Sequence, residues 1–179
     1  MDQVIQKKNE GNAHFAAGEY QDAINCYTES IFVFETQIGE SEDKLILSQC
    51  YGNRAACYMS LDDPEKCISD CDRSLELHIP YPKVRLRKVW GCKALKKFND
   101  ALTELKKAIE EDPSLQSQKA GELADLEKRA AEENERLKDE AMTQLKDLGN
   151  KFLGLFGMST DNFQMQDNGA GGYNIQFKR

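Results

Sequence analysis

The fold is decided by the stretch KVWGCKALKKFNDALTELKKAI, which spans residues 88–109. The same spacing of small, apolar and aromatic residues recurs in EGNAHFAAGEYQDAINCYTESI, residues 10–31, and in RAACYMSLDDPEKCISDCDRSL, residues 54–75. The second and third copies begin 34 residues apart, whereas the first and second begin 44 apart, so ten residues are inserted between them. A pattern that returns at a fixed period predicts one supersecondary unit repeated along the chain.

Four marker positions keep the same spacing in all three copies. They are Gly11, Ala55 and Val89; Ala23, Cys67 and Ala101; Tyr27, Cys71 and Leu105; and Ser30, Ser74 and Ala108. In the third copy a proline, Pro113, follows five residues after the last marker. A 34-residue period with small and aromatic positions and a late proline resembles the tetratricopeptide repeat (TPR), a pair of antiparallel helices, A and B. The resemblance implies an all-α fold of three helical hairpins in a right-handed superhelix.

The repeats also predict the domain boundaries. They are expected at about residues 4–37, 48–81 and 82–115, within a TPR domain over residues 1–116 that carries an insertion around residues 38–47. Apolar residues keep helical spacing on both sides of Gly39. The insertion is therefore predicted to lengthen helix B of the first repeat and helix A of the second.

Beyond Pro113 a different apolar pattern begins, with steps of three and four residues and one gap. Its members are Leu123, Leu126, Ala130, Leu137, Ala141, Leu145, Leu148 and Phe152. This spacing predicts one long, charged amphipathic helix over residues 117–153. Repeat arrays need a terminal helix to cover their last apolar face, so the first half is expected to cap the third repeat. The second half, from about Glu133, is expected to project or to dock elsewhere.

Residues 154–179 form the tail of the chain. Apolar and polar residues alternate through NFQMQD and YNIQF on either side of a glycine-rich stretch, which predicts two strands of a β-hairpin. A lone hairpin is marginally stable in water. The tail is therefore expected to be either a β-hairpin in the free protein or disordered until it is bound.

Composition and charge argue against several classes of function. No apolar run approaches the roughly 20 residues that span a bilayer, so membrane insertion is not expected. The first residues, MDQVIQKKNEGN, lack the apolar stretch of a signal peptide, so the six cysteines are expected to be reduced thiols in the cytoplasm or nucleus. A net charge of -7 argues against nucleic-acid binding, which requires a basic surface.

Catalytic and metal-binding motifs are also missing from the sequence. The sequence contains none of the patterns GxSxG, GxGxxG and HExxH and no phosphate-binding P-loop. The chain is therefore predicted not to be an enzyme and to need no cofactor. No Cys-x2-Cys pair occurs, and the only histidines are His14 and His78. Cys67 and Cys71 fall on repeat core positions, where a free cysteine acts as a small apolar residue. No metal site is therefore predicted.

Polar side chains on the three A helices form the candidate binding site. In a TPR array these helices line the concave groove, and the register places five side chains there. They are Lys8, Asn12, Asn53, Lys83 and Arg87. Lys8 with Asn12, and Lys83 with Arg87, are neighbours on one helix face because they are four residues apart. Two lysines, an arginine and two amides with no acid suit a ligand that carries two carboxylates close together.

This set resembles the two-carboxylate clamp of TPR co-chaperones, which bind the C-terminal Glu-Glu-Val-Asp tail of seventy- and ninety-kilodalton heat-shock chaperones. The family pattern is Lys-x3-Asn in the first helix, Asn in the third and Lys-x3-Arg in the fifth, and all of it is present. The resemblance implies that Lys8, Asn12 and Asn53 hold the terminal carboxylate. Lys83 would meet the side chain of the last Asp, and Arg87 the carboxylates or backbone nearby. The adjacent residues expected to hold the preceding apolar side chain are Phe15, Ala56 and Met59.

A second resemblance lies outside the repeats. RLKDEAMTQLKDLGNKFLGLFGMSTDNFQ, residues 136–164, followed by YNIQF, is similar to the C-terminal region of a group of three-repeat TPR proteins. That group is linked to heat-shock chaperones and, in some members, to Ras-type and heterotrimeric G proteins. The resemblance implies an alternative function, a scaffold that contacts a G protein through the convex face or the C-terminal helix.

Basic residues are concentrated in the third repeat. Residues 83–97 carry seven lysines and arginines and no acid, so they are expected to steer an acidic peptide despite the negative net charge. For Lys93, Lys96 and Lys97 a solvated helix face is the favoured interpretation. Trp90, the only tryptophan, either faces the groove or packs in the core.

Overall fold

Helices dominate the protein. The computed structural model describes residues 2–38, 44–160, 163–167 and 173–177. Within these ranges the elements are α1 (Asp2–Ala17), α2 (Tyr20–Val33), α3 (Lys44–Ser60), α4 (Pro64–Leu77), α5 (Pro82–Ala94), α6 (Phe98–Glu111), α7 (Leu115–Gln118), α8 (Ala120–Gly154), β1 (Phe163–Asp167) and β2 (Tyr173–Phe177). The hairpins α1–α2, α3–α4 and α5–α6 pack within themselves and in sequence, which confirms the predicted helical-hairpin architecture. Two compact units result, Met1–Ala130 and Ala131–Arg179.

The turn inside each hairpin is the same turn repeated. Gly18, Asp62 and Lys96 occupy equivalent positions and have φ values of 79°, 57° and 57°, in the left-handed region. In each hairpin the next residue donates its backbone N–H to the carbonyl five residues earlier, at 2.8 to 2.9 Å. This is the helix-ending arrangement that glycine adopts most readily. Only the first repeat has glycine there, so the other two turns place a side chain in a strained backbone conformation.

The marker positions of the repeat form the core. All twelve are buried, and most of them have no exposed surface. Gly11 shows why one marker must be small, because a Cβ there would lie 2.7 Å from the Tyr27 ring of α2. Gly91 makes a similar close approach between repeats, since its Cβ would lie 2.7 Å from Ile68 Cγ1 of α4. Close backbone approach is thus needed both within a hairpin and between hairpins.

The inserted residues lengthen two helices. Helix α2 continues as a π-helical turn, Phe34–Ile38, and α3 has 17 residues where α5 has 13. Phe34 and Leu47 are buried in the same apolar cluster, and the Tyr51 hydroxyl donates to Glu35 Oε1 at 2.7 Å. The added turns therefore extend the contact between the first two repeats. Gly39 itself, at which the two lengthened helices are expected to meet, lies outside the described residues.

The beginning of α8 covers the third hairpin. Leu126 and Ala130 are buried, and Leu126 belongs to the apolar cluster that contains Val89 and Leu105. Arg129 lies over the Phe98 ring, 5.4 Å from its centroid. These contacts fall within the first compact unit, and they agree with the predicted capping role of this half of the helix.

Residues 131–179 form the second unit. The remainder of α8 exposes large apolar side chains to solvent, and Gly157, in the turn after the helix, has a φ of 67°. The Asn150 side chain accepts hydrogen bonds from the backbone N–H and the hydroxyl of Thr160. Strands β1 and β2 pair antiparallel, with Phe163 opposite Phe177. The glycine-rich connection between them lies outside the described residues.

No helix in the described part of the chain combines the length and the apolar character needed to cross a membrane.

Candidate functional site

A cavity of about 210 Å³ lies among the A helices and α2. We call it the groove, and its lining residues are Asn12, Phe15, Tyr27, Asn53, Ala56, Lys83 and Arg87. Four of the five predicted clamp residues and two of the three predicted apolar residues are thus brought together. None of the lining residues is acidic, so the groove presents amide and cationic donors to a ligand.

Asn12 is the centre of a hydrogen-bond network at the groove. Its Oδ1 accepts from the Tyr27 hydroxyl at 2.7 Å and from Asn53 Nδ2 at 3.0 Å. Because two donors already bind the carbonyl oxygen of Asn12, its side-chain NH2 group is the part that can hydrogen-bond a ligand. The network therefore orients the amide as a hydrogen-bond donor, the polarity that a carboxylate requires.

Tyr27 is a site residue that sequence reasoning missed, because its position is one of the buried markers of the repeat. Its ring is 1% exposed, and only its hydroxyl reaches Asn12. Burial raises the pKa of this phenol, so the hydroxyl stays protonated and acts as a donor at neutral pH. A tyrosine at a marker position gives no sign in the sequence that its hydroxyl reaches the neighbouring helix.

Lys8 lies beside the groove and does not line it. Its Nζ donates to Gln49 Oε1 of α3 at 2.9 Å. Lys8 precedes Asn12 by four residues, and Gln49 precedes Asn53 by four. The Lys8–Gln49 and Asn12–Asn53 hydrogen bonds therefore connect α1 and α3 at two levels, one helical turn apart. Gln49 was not predicted, because a glutamine on a helix face carries no recognisable signal.

Arg87 and Lys83 reach the groove from α5. One Arg87 nitrogen, Nη1, donates to the backbone carbonyl of Gly52 at 2.8 Å, which holds the guanidinium against α3. A Cβ at position 52 would lie 3.6 Å from Arg87 Nη1 and 3.0 Å from Val84 Cγ2. Glycine therefore allows α5 and its arginine to approach. Lys83 is exposed at the edge of the groove.

The apolar part of the site is smaller than predicted. Phe15 and Ala56 line the groove, and the Phe15 ring packs edge-on against Tyr20 with centroids 5.5 Å apart. Met59 is absent from the lining residues and is 37% exposed. It follows Ala56 by three residues and so lies about one helical turn further along α3.

The basic residues of the stretch 83–97 do not all reach the groove, and its expected steering of an acidic peptide stays a prediction. Three of its cations are paired with acids on other helices. These pairs are Arg85 with Glu104 and Glu111, Lys88 with Asp72 and Glu104, and Lys93 with Glu122. Trp90, the residue left open between groove and core, packs with the cluster of Ala55 and Val84. Lys83 and Arg87 are the cations of this stretch that line the groove.

Five of the six cysteines are buried, and Cys26 is partly exposed. All six are free thiols. Burial raises the pKa of Cys57 and of Cys92 to about 11, so these thiols are protonated and unreactive at neutral pH.

One group of metal-ligating side chains occurs among the described residues, at the turn of the first hairpin. Ligand atoms of His14, Glu19 and Asp22 lie within 4.8 Å of one another. The Nδ1 of His14 lies 2.6 Å from Glu19 Oε2, and the two side chains are 40% and 54% exposed. A partly exposed hydrogen bond accounts for the closeness of these two side chains, and the absence of a metal site stays a prediction.

Comparison with solved structures identifies the fold. The first TPR of Spaghetti (RPAP3), solved with the HSP90 peptide SRMEEVD, is 25% identical with a TM-score of 0.60 over 73% of this chain and 94% of that chain. The second TPR domain of human RPAP3, solved with the HSP70 peptide SGPTIEEVD, is 27% identical with a TM-score of 0.57 over 70% of this chain and 95% of that chain. The chain has a TPR fold.

Curated relatives also match part of the chain. Sperm-associated antigen 1A of Danio rerio is 36% identical to this chain over 115 residues, and the human mitochondrial import receptor subunit TOM70 is 33% identical to it over 105 residues. These matches cover 64% and 59% of this chain but only 26% and 16% of the relatives. The chain therefore spans about a quarter or less of the length of these relatives. No family model matches it.

Proposed function

We propose that this TPR domain is an adaptor or co-chaperone that binds the acidic C-terminal tail of a seventy- or ninety-kilodalton heat-shock chaperone in the groove. One observation carries the proposal. Asn12, Asn53, Lys83 and Arg87, from three successive A helices, line a single cavity that has no acidic lining residue. Such a site favours a ligand with two carboxylates, and a peptide ending in Asp has both in its last residue.

The chemistry assigns a role to each side chain. Asn53 and the oriented NH2 group of Asn12 donate to the terminal carboxylate, and Lys8 can join them by exchanging Gln49 for the ligand. Lys83, exposed at the groove edge, neutralises the side chain of the final Asp. Arg87 contacts the carboxylates or backbone nearby. Phe15 and Ala56 provide the apolar surface for the preceding side chain, and Met59, one turn beyond Ala56, is not among the lining residues.

Similar TPR domains support this ligand class. The two solved domains of RPAP3 were determined with HSP90 and HSP70 peptides, and both peptides end in EEVD. A finer likeness, to tetratricopeptide repeat protein 1, is also a proposal, and it rests on the resemblance of residues 136–164 and of YNIQF. The six free thiols are compatible with action in the cytoplasm or the nucleus.

Calorimetric titration with a peptide ending in Glu-Glu-Val-Asp tests the proposal. We expect an affinity of roughly 1 μM, or about -8 kcal/mol, for the free acid. Amidation of the peptide C terminus removes a charge-assisted contact worth about 1.5 to 3 kcal/mol and should weaken binding about tenfold or more. Equal binding of the acid and the amide would refute recognition by the groove.

A matched pair of lysine variants localises the binding. Lys83→Ala removes the cation at the groove edge and should weaken binding about tenfold or more. Lys66→Ala removes an exposed lysine from the first turn of α4, where its partner is Asp63, and should leave the affinity unchanged. Equal effects of the two substitutions would indicate general charge attraction rather than a site.

The alternative function is a scaffold for a Ras-type or heterotrimeric G protein through the convex face or the C-terminal helix. No feature of the groove supports this function, which rests on the resemblance of the C-terminal residues alone. Deletion of residues 133–179 separates the two functions, because it should abolish G-protein capture and leave the affinity for the chaperone peptide unchanged.

A further inference from the structure

The second half of α8 carries an exposed apolar surface that the proposed function does not use. We call it the distal stripe, and its most exposed members are Leu137, Met142, Leu145, Leu148, Phe152, Leu155 and Phe156, with 47 to 79% of their surface accessible. The Phe152 and Phe156 rings lie 5.8 Å apart, one helical turn from each other. A contiguous apolar surface of this kind marks an interaction site, whereas scattered exposed residues do not.

The stripe follows one face of the helix. Leu137, Ala141, Leu145, Leu148 and Phe152 are separated by steps of four, four, three and four residues. Such spacing keeps them within one sector of an α-helix. From residue 137 to residue 156 the stripe is about 30 Å long, about the diameter of a small domain.

We propose that the distal stripe is covered by the same stripe of a second copy of this chain, packed antiparallel. The distribution of charge along the helix points to this occupant. Residues 132–140 contain five acids and two bases, whereas residues 141–156 contain two bases and one acid. A parallel pair would place the acidic halves side by side, and an antiparallel pair places each acidic half against a basic half.

The register of the pair follows from the positions of the leucines. When Leu137 lies opposite Leu148 of the second copy, the two stripes overlap from residue 133 to residue 152. On one flank of the stripe Glu133 then falls beside Lys151 of the second copy. The two-fold axis repeats this contact, so one register aligns apolar residues in the centre with a pair of opposite charges at each end.

A membrane surface fits the stripe less well. Amphipathic helices that lie on membranes are rich in lysine and arginine on their polar face. The segment of residues 132–156 has six acids and four bases, a net charge that an anionic lipid surface repels. The second copy is therefore the occupant that the charges favour.

Sedimentation equilibrium of the full chain tests the proposal. The mass should rise from 20.3 kDa toward twice that value between about 1 and 200 μM, a range suited to an interface of this size. Leu145→Glu combined with Leu148→Glu places charges in the stripe and should leave a monomer throughout. Thr143→Glu, on the opposite face of the same helix, is the matched control and should dimerise like the wild type.

Charge reversal tests the antiparallel register. Glu133→Lys alone and Lys151→Glu alone should each weaken dimerisation about tenfold, because each creates like-charge contacts. The double substitution restores opposite charges in this register and should recover most of the wild-type affinity. Far-UV circular dichroism checks that each variant keeps its helices.

Three outcomes overturn the proposal: a wild-type chain that stays monomeric over the whole range, a dimer that Leu145→Glu with Leu148→Glu does not affect, or stripe-dependent binding to vesicles of anionic lipid by a monomer. Binding of the chaperone peptide is measured on the same samples. Since the groove lies in the first compact unit, loss of dimerisation with peptide affinity retained distinguishes failure of one proposal from failure of the other.

Discussion

At the scale of single residues, the Tyr27 hydroxyl is the least expected part of the groove. The hydroxyl donates a hydrogen bond to Asn12 Oδ1, which orients the amide so that its NH2 group is available to a ligand. The aromatic ring serves the repeat core, and its polar atom serves the site. One side chain thus links the packing of α1 against α2 to the chemistry of the groove.

Replacing this hydroxyl should affect binding more than stability. Tyr27→Phe removes one neutral hydrogen bond worth about 0.5 to 1.5 kcal/mol, so peptide affinity should fall about three- to tenfold. Tyr51→Phe is the matched control, because its hydroxyl bonds Glu35 away from the groove. Calorimetry should show weaker binding for the first substitution alone, and an equal loss for both would contradict the positioning role.

At the scale of elements, the three hairpin turns share one backbone conformation but differ in how easily their residues adopt it. Lys96 and Asp62 have left-handed φ values where Gly18 carries no penalty. A Cβ at position 18 would have nothing within 4 Å, so substitution there tests the backbone conformation alone.

Placing a glycine at this turn position and removing one from it should change the stability of the protein in opposite directions. Lys96→Gly should stabilise the protein by about 1 kcal/mol because it relieves a left-handed side chain, and Gly18→Ala should destabilise it by a similar amount. Ala94→Gly, at an exposed position in the last turn of α5, is the control and should destabilise through helix propensity. Urea unfolding midpoints measure all three, and a lower midpoint for Lys96→Gly would contradict the argument.

A buried ionic network joins α5 to α6. Arg85 Nη1 and Nε donate to Glu104 and Glu111, both at 2.7 Å, and all three side chains are at most 11% exposed. Burial alone would raise the pKa of Glu104, but the hydrogen bond from Arg85 and the charge of Lys88 outweigh it and hold the pKa below its ordinary value. Ionised Glu104 is therefore favoured in the folded state.

The network predicts how stability depends on pH. Because the pKa of Glu104 is lower folded than unfolded, its contribution is present at neutral pH and is lost as the pH falls below about 4.5 through the folded-state pKa. Glu104→Gln should cost about 1 to 3 kcal/mol at pH 7 and should reduce the acid-induced loss. Urea unfolding at neutral pH and at about pH 3.5 checks this. An unchanged acid-induced loss in the variant would exclude Glu104 as its source.

At the scale of the whole molecule, α8 has one end in the repeat core and one end exposed. Leu126 and Ala130 complete the last apolar layer, whereas the large apolar residues from 137 onward are exposed. The division of the chain after residue 130 falls between these two regions. The first part of the helix is thus a structural cap, and the second is available for association.

Truncation should separate the two parts. A chain that ends at residue 132 keeps the cap and should unfold cooperatively near the midpoint of the full chain. A chain that ends at residue 118 uncovers the layer around Leu105, which should cost at least about 2 to 5 kcal/mol, the range for losing one buried leucine. Thermal unfolding measures both, and equal midpoints would mean that α8 does not stabilise the repeats.

The sequence by itself determined the architecture. The period of 34 residues, the twelve marker positions and the apolar spacing after Pro113 predicted three hairpins and a capping helix, and the register placed Asn12, Asn53, Lys83 and Arg87 on one side. These features are local and periodic, so they can be read from residue types and spacing without knowing which helices touch.

Only the tertiary structure decided which groups meet. It turned Lys8 toward Gln49, brought the Tyr27 hydroxyl to Asn12, and left Met59 outside the groove. It also neutralised Arg85, Lys88 and Lys93 with acids from other helices. Such contacts depend on how each helix is rotated about its axis and on partners up to 41 residues away, and the repeat pattern contains neither kind of information.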